Sequence, residues 1–135
     1  MTKNDVELLS YCLANNPRGE STIEVLNLSR NDILKEGAKV LATALELNKS
    51  LKSLDLSQCK LGVSGTQALS LALQKNKTLE RLNLYRNKVD VDGARSLREL
   101  LKVNSTLQFI DLGYNRLREK GIKALTEGIN SNPNS

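Results

Sequence analysis

Four glycines, Gly37, Gly65, Gly93 and Gly121, recur every 28 residues with no insertion between them. The same interval separates Ile23, Leu51, Leu79 and Leu107, and again Asn48, Asn76, Asn104 and Asn132. Self-similarity at a period of roughly 20 to 50 residues marks a chain built from stacked supersecondary units rather than from one globular core. Each such unit carries an apolar face that it cannot bury alone, so its neighbours must cover it. The period therefore restricts the chain to a linear array before any single residue is considered.

Aligned on that period, the segments read IEVLNLSRNDI (23–33), LKSLDLSQCKL (51–61), LERLNLYRNKV (79–89) and LQFIDLGYNRL (107–117). Alternate apolar positions in Leu-x-x-Leu-x-Leu describe a short strand with one buried face. Its inward residues are Leu26 and Leu28, Leu54 and Leu56, Leu82 and Leu84, and Ile110 and Leu112. Apolar spacings of three and four follow in each unit and predict a helix packed on the strand. Its stripe is Ala38, Leu41, Ala44 and Leu45, then Thr66, Leu69, Ala72 and Leu73, then Ala94, Leu97, Leu100 and Leu101, then Ile122, Leu125 and Ile129. Ser64 and Asp92, just before the repeated glycine, are the expected helix N-caps. Side-by-side stacking gives a parallel sheet on one face and a row of helices on the other. Helices ~10 Å wide cannot match a strand spacing of ~4.8 Å, so the stack curves with the sheet on its concave side.

The pattern L-x-x-L-x-L-x-x-N/C-x-L, followed by a glycine and a helix ending in asparagine, resembles the leucine-rich repeat of the ribonuclease-inhibitor type over roughly residues 23–135. The resemblance implies an α/β solenoid, a short horseshoe segment with its parallel sheet concave and its helices convex. It also implies that Asn31, Cys59, Asn87 and Asn115 hydrogen-bond the backbone of the turn after each strand. Cys59 then reads as a buried structural thiol. Gly128 occupies an apolar helix position, which predicts a looser or frayed last helix.

The expected organisation is a single domain: an N-terminal half-repeat (1–22), then repeats 23–50, 51–78, 79–106 and 107–135. The half-repeat reads as a capping helix over Asn4–Asn15 with Val6, Leu9, Cys12 and Leu13 on one face. Asn4 and Glu7 form its capping box, and Pro17 and Gly19 break the chain after it. The last repeat ends without an evident cap, and its open edge offers a place for self-association or for more of a longer chain.

Several chemistries find no residues here. The sequence has no histidine, which removes Ser-His-Asp and Cys-His triads and the usual histidine-bearing zinc sites. Neither Gly-rich phosphate-binding motif occurs, and Asp90-Val91-Asp92-Gly93 copies only the start of a calcium loop. The polar strand column Asn27, Asp55, Asn83 and Asp111 separates its two carboxylates by ~9.6 Å, two strand spacings, too far for one small ion. No catalytic residue, metal or cofactor is expected. Asn27, Asn48, Asn76 and Asn104 head glycosylation sequons, but three sit in the periodic helix-closing column and the fourth in a strand. Two cysteines make no disulfide framework, and no apolar run has a bilayer-spanning length or the form of a signal peptide. A cytoplasmic protein with free thiols is the expectation.

What the repeat leaves free carries the functional signal. Strand positions three, five, seven, eight and ten face away from the leucines, and in the four units they hold six basic and three acidic residues. The chain has three tyrosines and one phenylalanine, and Tyr85, Phe109 and Tyr114 all fall at these positions although leucine-filled core places abound. With Arg81, Arg86, Lys88 and Arg116 they form an aromatic and basic cluster of the kind found in binding hot spots, with arginines in cation–π reach of the rings. The net charge of +5 lies wholly in residues 68–135, which carry 12 basic against 7 acidic groups. The expectation is a non-enzymatic module that binds another protein on the concave face of repeats three and four. Ribonuclease inhibitors, intracellular innate-immune sensors, tropomodulin-like actin-capping proteins and Ran GTPase activators are similar at this level, so a GTPase-activator-like regulatory role stands beside it. Polyanion or single-stranded nucleic-acid binding is the remaining alternative; Asp32, Asp55 and Asp111 on the same face weigh against it. No membrane contact is expected.

Overall fold

The computed structural model describes residues 1–15 and 23–133. Along the chain these form α1 (Lys3–Ala14), β1 (Val25–Asn27), α2 (Leu34–Leu47), β2 (Ser53–Asp55), α3 (Gly62–Lys75), β3 (Arg81–Asn83), α4 (Val91–Val103), β4 (Phe109–Asp111) and α5 (Arg118–Asn130). The strands make one parallel sheet in the order β1-β2-β3-β4, with Leu26, Leu54, Leu82 and Ile110 in one register. Each helix packs on its sequence neighbours, α1 on α2 through to α4 on α5. The result is a short α/β solenoid. Its core lies between sheet and helices and is built from leucines, among them Leu54, Leu56, Leu82, Leu84, Leu69 and Leu97, all fully buried. The segment holding Pro17 and Gly19 lies outside the described residues.

Two asparagine columns tie the units together. At the helix ends, Asn76 Nδ2 donates to Leu45 O (2.7 Å) and Asn104 Nδ2 to Leu73 O (2.7 Å), while their Oδ1 atoms accept from the Leu79 and Leu107 N–H groups. Asn48 repeats the pattern against Leu13 O and Leu51 N. These three sequon asparagines are buried and fully used by the fold. At the strand ends, Asn87 Nδ2 donates to Leu56 O (2.7 Å), and its Oδ1 accepts from Cys59 N (3.0 Å) and Leu61 N (3.3 Å). Asn115 serves Leu84 O, Asn87 N and Val89 N in the same way. Cys59 takes the place in its own unit, its thiol donating to Leu28 O (3.1 Å). Burial pushes that thiol up to about 11, against which the N–H of Asn31 acts only in part, so it stays protonated and unreactive at neutral pH.

Several sequence expectations need correction. The first helix is capped by Thr2, whose hydroxyl accepts from Asp5 N while Asp5 accepts from Thr2 N; Asn4 and Glu7 lie inside the helix. On α1, Ser10 is buried and Cys12 exposed. The cap of α4 is Asp90, which accepts from Asp92 N and Gly93 N, because the helix starts two residues earlier than the glycine suggests. Ser64 likewise lies within α3, whose first residue follows Leu61, a cap in helical conformation with no side-chain bond. Ile122 and Ile129 are exposed, since among the described residues no helix covers that side of α5; Gly121, Ala124 and Gly128 are its buried residues.

Gly128 is a close-approach residue rather than a weak point. A Cβ there would stand 2.8 Å from the Arg98 carbonyl and 3.0 Å from its Cα, so the glycine lets α5 lie directly on α4. Helix propensity alone predicts that Gly128→Ala stabilises by about 1 kcal/mol. The backbone clash costs about 2 kcal/mol by comparison with overpacked cores and reverses the sign. Thermal unfolding of G128A is therefore expected below wild type; an increase would show that the two helices separate without penalty.

Candidate functional site

On the sheet face the polar column now has a defined task. Asn27, Asp55, Asn83 and Asp111 each turn a side-chain oxygen back to the backbone N–H two residues on, at 2.8–2.9 Å to Ser29, Ser57, Tyr85 and Gly113. Asn83 Nδ2 also donates to Asp55 Oδ2 (3.3 Å). These groups hold the bend that follows each strand, and so aim the residues after it. Among the described residues no three His, Cys, Asp or Glu side chains gather as a metal site. Ser57, at a position expected to face solvent, is buried.

The aromatic groups stand on this frame. Phe109 in β4 pairs in register with Arg81 in β3, whose guanidinium lies 4.6 Å from the Phe109 ring centroid. One bend further, the Tyr85 and Tyr114 rings meet with centroids 5.3 Å apart at an interplanar angle of 46°, a tilted contact favoured by the ring quadrupoles. Phe109 remains 45% exposed and Tyr114 78%, whereas Tyr85 is half-buried. Gly113 makes the tyrosine contact possible: a Cβ there would sit 3.0 Å from Tyr85 Cδ2. Its signal in the sequence is a glycine where the other units carry Ser29, Ser57 and Tyr85.

Arg86, Lys88 and Arg116 are exposed on the turns beyond the strands. They line a groove of about 430 Å³ together with Gln58, Lys60 and Tyr114. Arg81, Phe109 and Tyr85 lie outside that groove, so the seven candidate residues fall into a stacked Arg81–Phe109 pair on the strands, a basic rim of Arg86, Lys88, Arg116 and Tyr114, and Tyr85 packed against Tyr114 behind the rim. Lys60 and Gln58 belong to the rim although the excess of positive charge lies in residues 68–135. Their signal was the column itself, since Lys60 stands where Lys88 and Arg116 stand in the next units. The rim backbone is unusual: Gln58, Lys60, Arg86, Lys88 and Tyr114 all have φ between 53° and 62°, the left-handed region that side-chain-bearing residues rarely enter.

A family model described as "Leucine Rich repeat" matches residues 20–42, 47–70, 75–97 and 103–125. A search of curated protein sequences finds no significant match. Among solved structures the chain is similar to leiomodin-1 actin-binding site 2, with a TM-score of 0.76, 21% identity, and coverage of 96% of this chain and 75% of that one. It is also similar to the C-terminal domain of tropomodulin from Caenorhabditis elegans, with a TM-score of 0.60, 14% identity, and coverage of 94% and 92%. Among the described residues no helix is long and apolar enough to cross a membrane.

Proposed function

The chain belongs to the leucine-rich repeat family, and from that premise we propose that it is a non-enzymatic module that binds another protein on the sheet face of its third and fourth repeats. The observation that carries this reading is the exposed aromatic cluster. Tyr114 stays largely and Phe109 nearly half in solvent, held by Tyr85 and Arg81, in a molecule whose leucine core has no need of them on that face. Rigid aromatics beside arginines lose little conformational freedom on docking and supply most of the energy at interfaces. Arg81, Tyr85, Phe109 and Tyr114 are the anchors in this reading, and Arg86, Lys88 and Arg116 the charged margin. The uninterrupted 28-residue spacing supports the ribonuclease-inhibitor type of repeat, and the absence of histidine supports a role without catalysis. We place the protein in the cytoplasm, where a buried free thiol such as Cys59 is ordinary.

The test is the joint substitution of Phe109 and Tyr114 by alanine, followed by affinity capture from cell extract. Purified actin, named as the ligand of the leiomodin site, serves as the first defined bait. The expected result is an unfolding temperature within a few degrees of wild type and a loss of captured partner of about tenfold or more, as for interface hot spots. Unchanged capture, or a domain that unfolds, overturns the proposal.

A further inference from the structure

We propose that the groove at the rim binds a short acidic segment of the protein partner, its Asp or Glu carboxylates seated among Lys60, Arg86, Lys88 and Arg116. This rests on the reading of the face as a protein-binding surface and specifies what the bound protein must present there. Four of the six lining residues are cations and none is a carboxylate. Among the described residues only Lys60 of these four is engaged in an ion pair, with Asp32 at 2.9 Å and exposed to solvent. A surface cation usually finds a neighbouring carboxylate or spreads into water; here three converge on a concavity and remain uncompensated.

The backbone fixes that convergence. Gln58 N donates to Tyr85 O (2.9 Å), Arg86 N to Gly113 O (2.9 Å) and Arg116 N to Val89 O (2.7 Å), so each turn is bonded to the next. The left-handed residues Lys60, Arg86, Lys88 and Tyr114 belong to a turn that recurs along the array, as at Arg30, and set the course of the turns from which these side chains project. Lys60, Lys88 and Arg116 are one repeat apart, which spreads the row over ~9.6 Å, two strand spacings. Three residues of extended peptide cover about the same distance. Side chains of an extended peptide alternate between faces, so the acidic residues on the face toward the turns each come within reach of a cation, and the Tyr114 ring closes one wall.

The site favours a short acidic peptide over a nucleic-acid strand. A strand continuing across the sheet would meet Asp55 and Asp111 on the strands and Asp32 at the end of the rim. Those carboxylates limit the favourable region to the groove itself. A peptide with two or three acidic residues fits within it, and attraction of this kind raises association rates while falling with added salt.

The experiment uses a fluorescein-labelled hexaglutamate peptide, followed by anisotropy at low and physiological salt. A hexaserine peptide and a single-stranded oligothymidylate of equal charge are the comparisons. The wild-type protein is expected to bind hexaglutamate and not hexaserine, with affinity falling as salt rises. Replacing Arg86, Lys88 and Arg116 together by glutamine should weaken binding about tenfold or more, while Phe109→Ala should change it less than twofold. Circular dichroism verifies that the glutamine variant is folded; the single exchange Lys88→Glu, expected to repel the peptide, gives a second readout. Failure of hexaglutamate to bind at low salt, or tighter binding of the oligothymidylate, overturns the proposal. Partner capture that still depends on Phe109 and Tyr114 would then leave the concave-face reading standing. Peptide binding with capture indifferent to Phe109 and Tyr114 would remove that reading instead.

Discussion

Asn87→Ala is expected to lower the unfolding free energy by about 3 kcal/mol, the cost of leaving buried backbone groups without partners. The side chain is fully buried and makes three bonds into the preceding unit, to Leu56 O, Cys59 N and Leu61 N. Alanine removes all three and fills little of the space, so the carbonyl and both N–H groups lose partners that water cannot easily replace. A domain of this size has only about 5–15 kcal/mol in total. The urea midpoint should therefore fall by about 1–2 M with little change in slope. Asn87→Cys should cost less, because Cys59 already fills the corresponding place one unit earlier, donating to Leu28 O. Equal losses for the two variants would mean that space, not hydrogen bonding, decides this column.

The second large effect contrasts two identical substitutions. Leu84→Ala is expected to cost about 3 kcal/mol and Leu112→Ala about 1 kcal/mol, since the penalty follows the cavity left behind. Leu84 is completely buried among the units on both sides, whereas Leu112 is half-buried at the open end of the sheet. In a linear array, stability is carried by interfaces between neighbours. A lesion at Leu84 weakens both interfaces of the third unit, and its unfolding transition should broaden as the two ends separate in stability. Equal costs at the two positions would indicate that something buries the terminal face in solution.

The architecture was readable because periodicity multiplies a weak signal: Leu26, Leu54, Leu82 and Ile110 are each ambiguous alone, and in one register they define a sheet. What escaped were features decided by one unit's departures or by the array's ends. Asp90 and Asp92 are equally good caps by composition, and only the helix start separates them. Ile122 matches the buried Ala38, Thr66 and Ala94 column but lacks the neighbour that buries those three. Gly128 looks like a defect until the distance to Arg98 is known. For the surface, counting outward positions found Tyr85, Phe109 and Tyr114 and put Arg81 within cation–π reach of Phe109, yet the enclosure of Lys60 and the later cations in one groove, with Arg81 and Phe109 outside it, does not follow from counting. That depends on turn angles, which composition at Gln58, Arg86 and Tyr114 actively disguises, since none is a usual left-handed residue.

The left-handed turns have a bearing on how such a surface changes over generations. Residues 30, 58, 86 and 114 share one backbone angle, with φ of 60°, 58°, 57° and 53°, yet are Arg, Gln, Arg and Tyr. The penalty for that angle, roughly 1 kcal/mol, arises at Cβ, and it is nearly the same for any unbranched side chain. Exchange among such residues leaves the fold's stability almost untouched while rewriting what the rim displays. Selection can thus explore new partners at these four sites without first having to find compensating changes in the leucine interior.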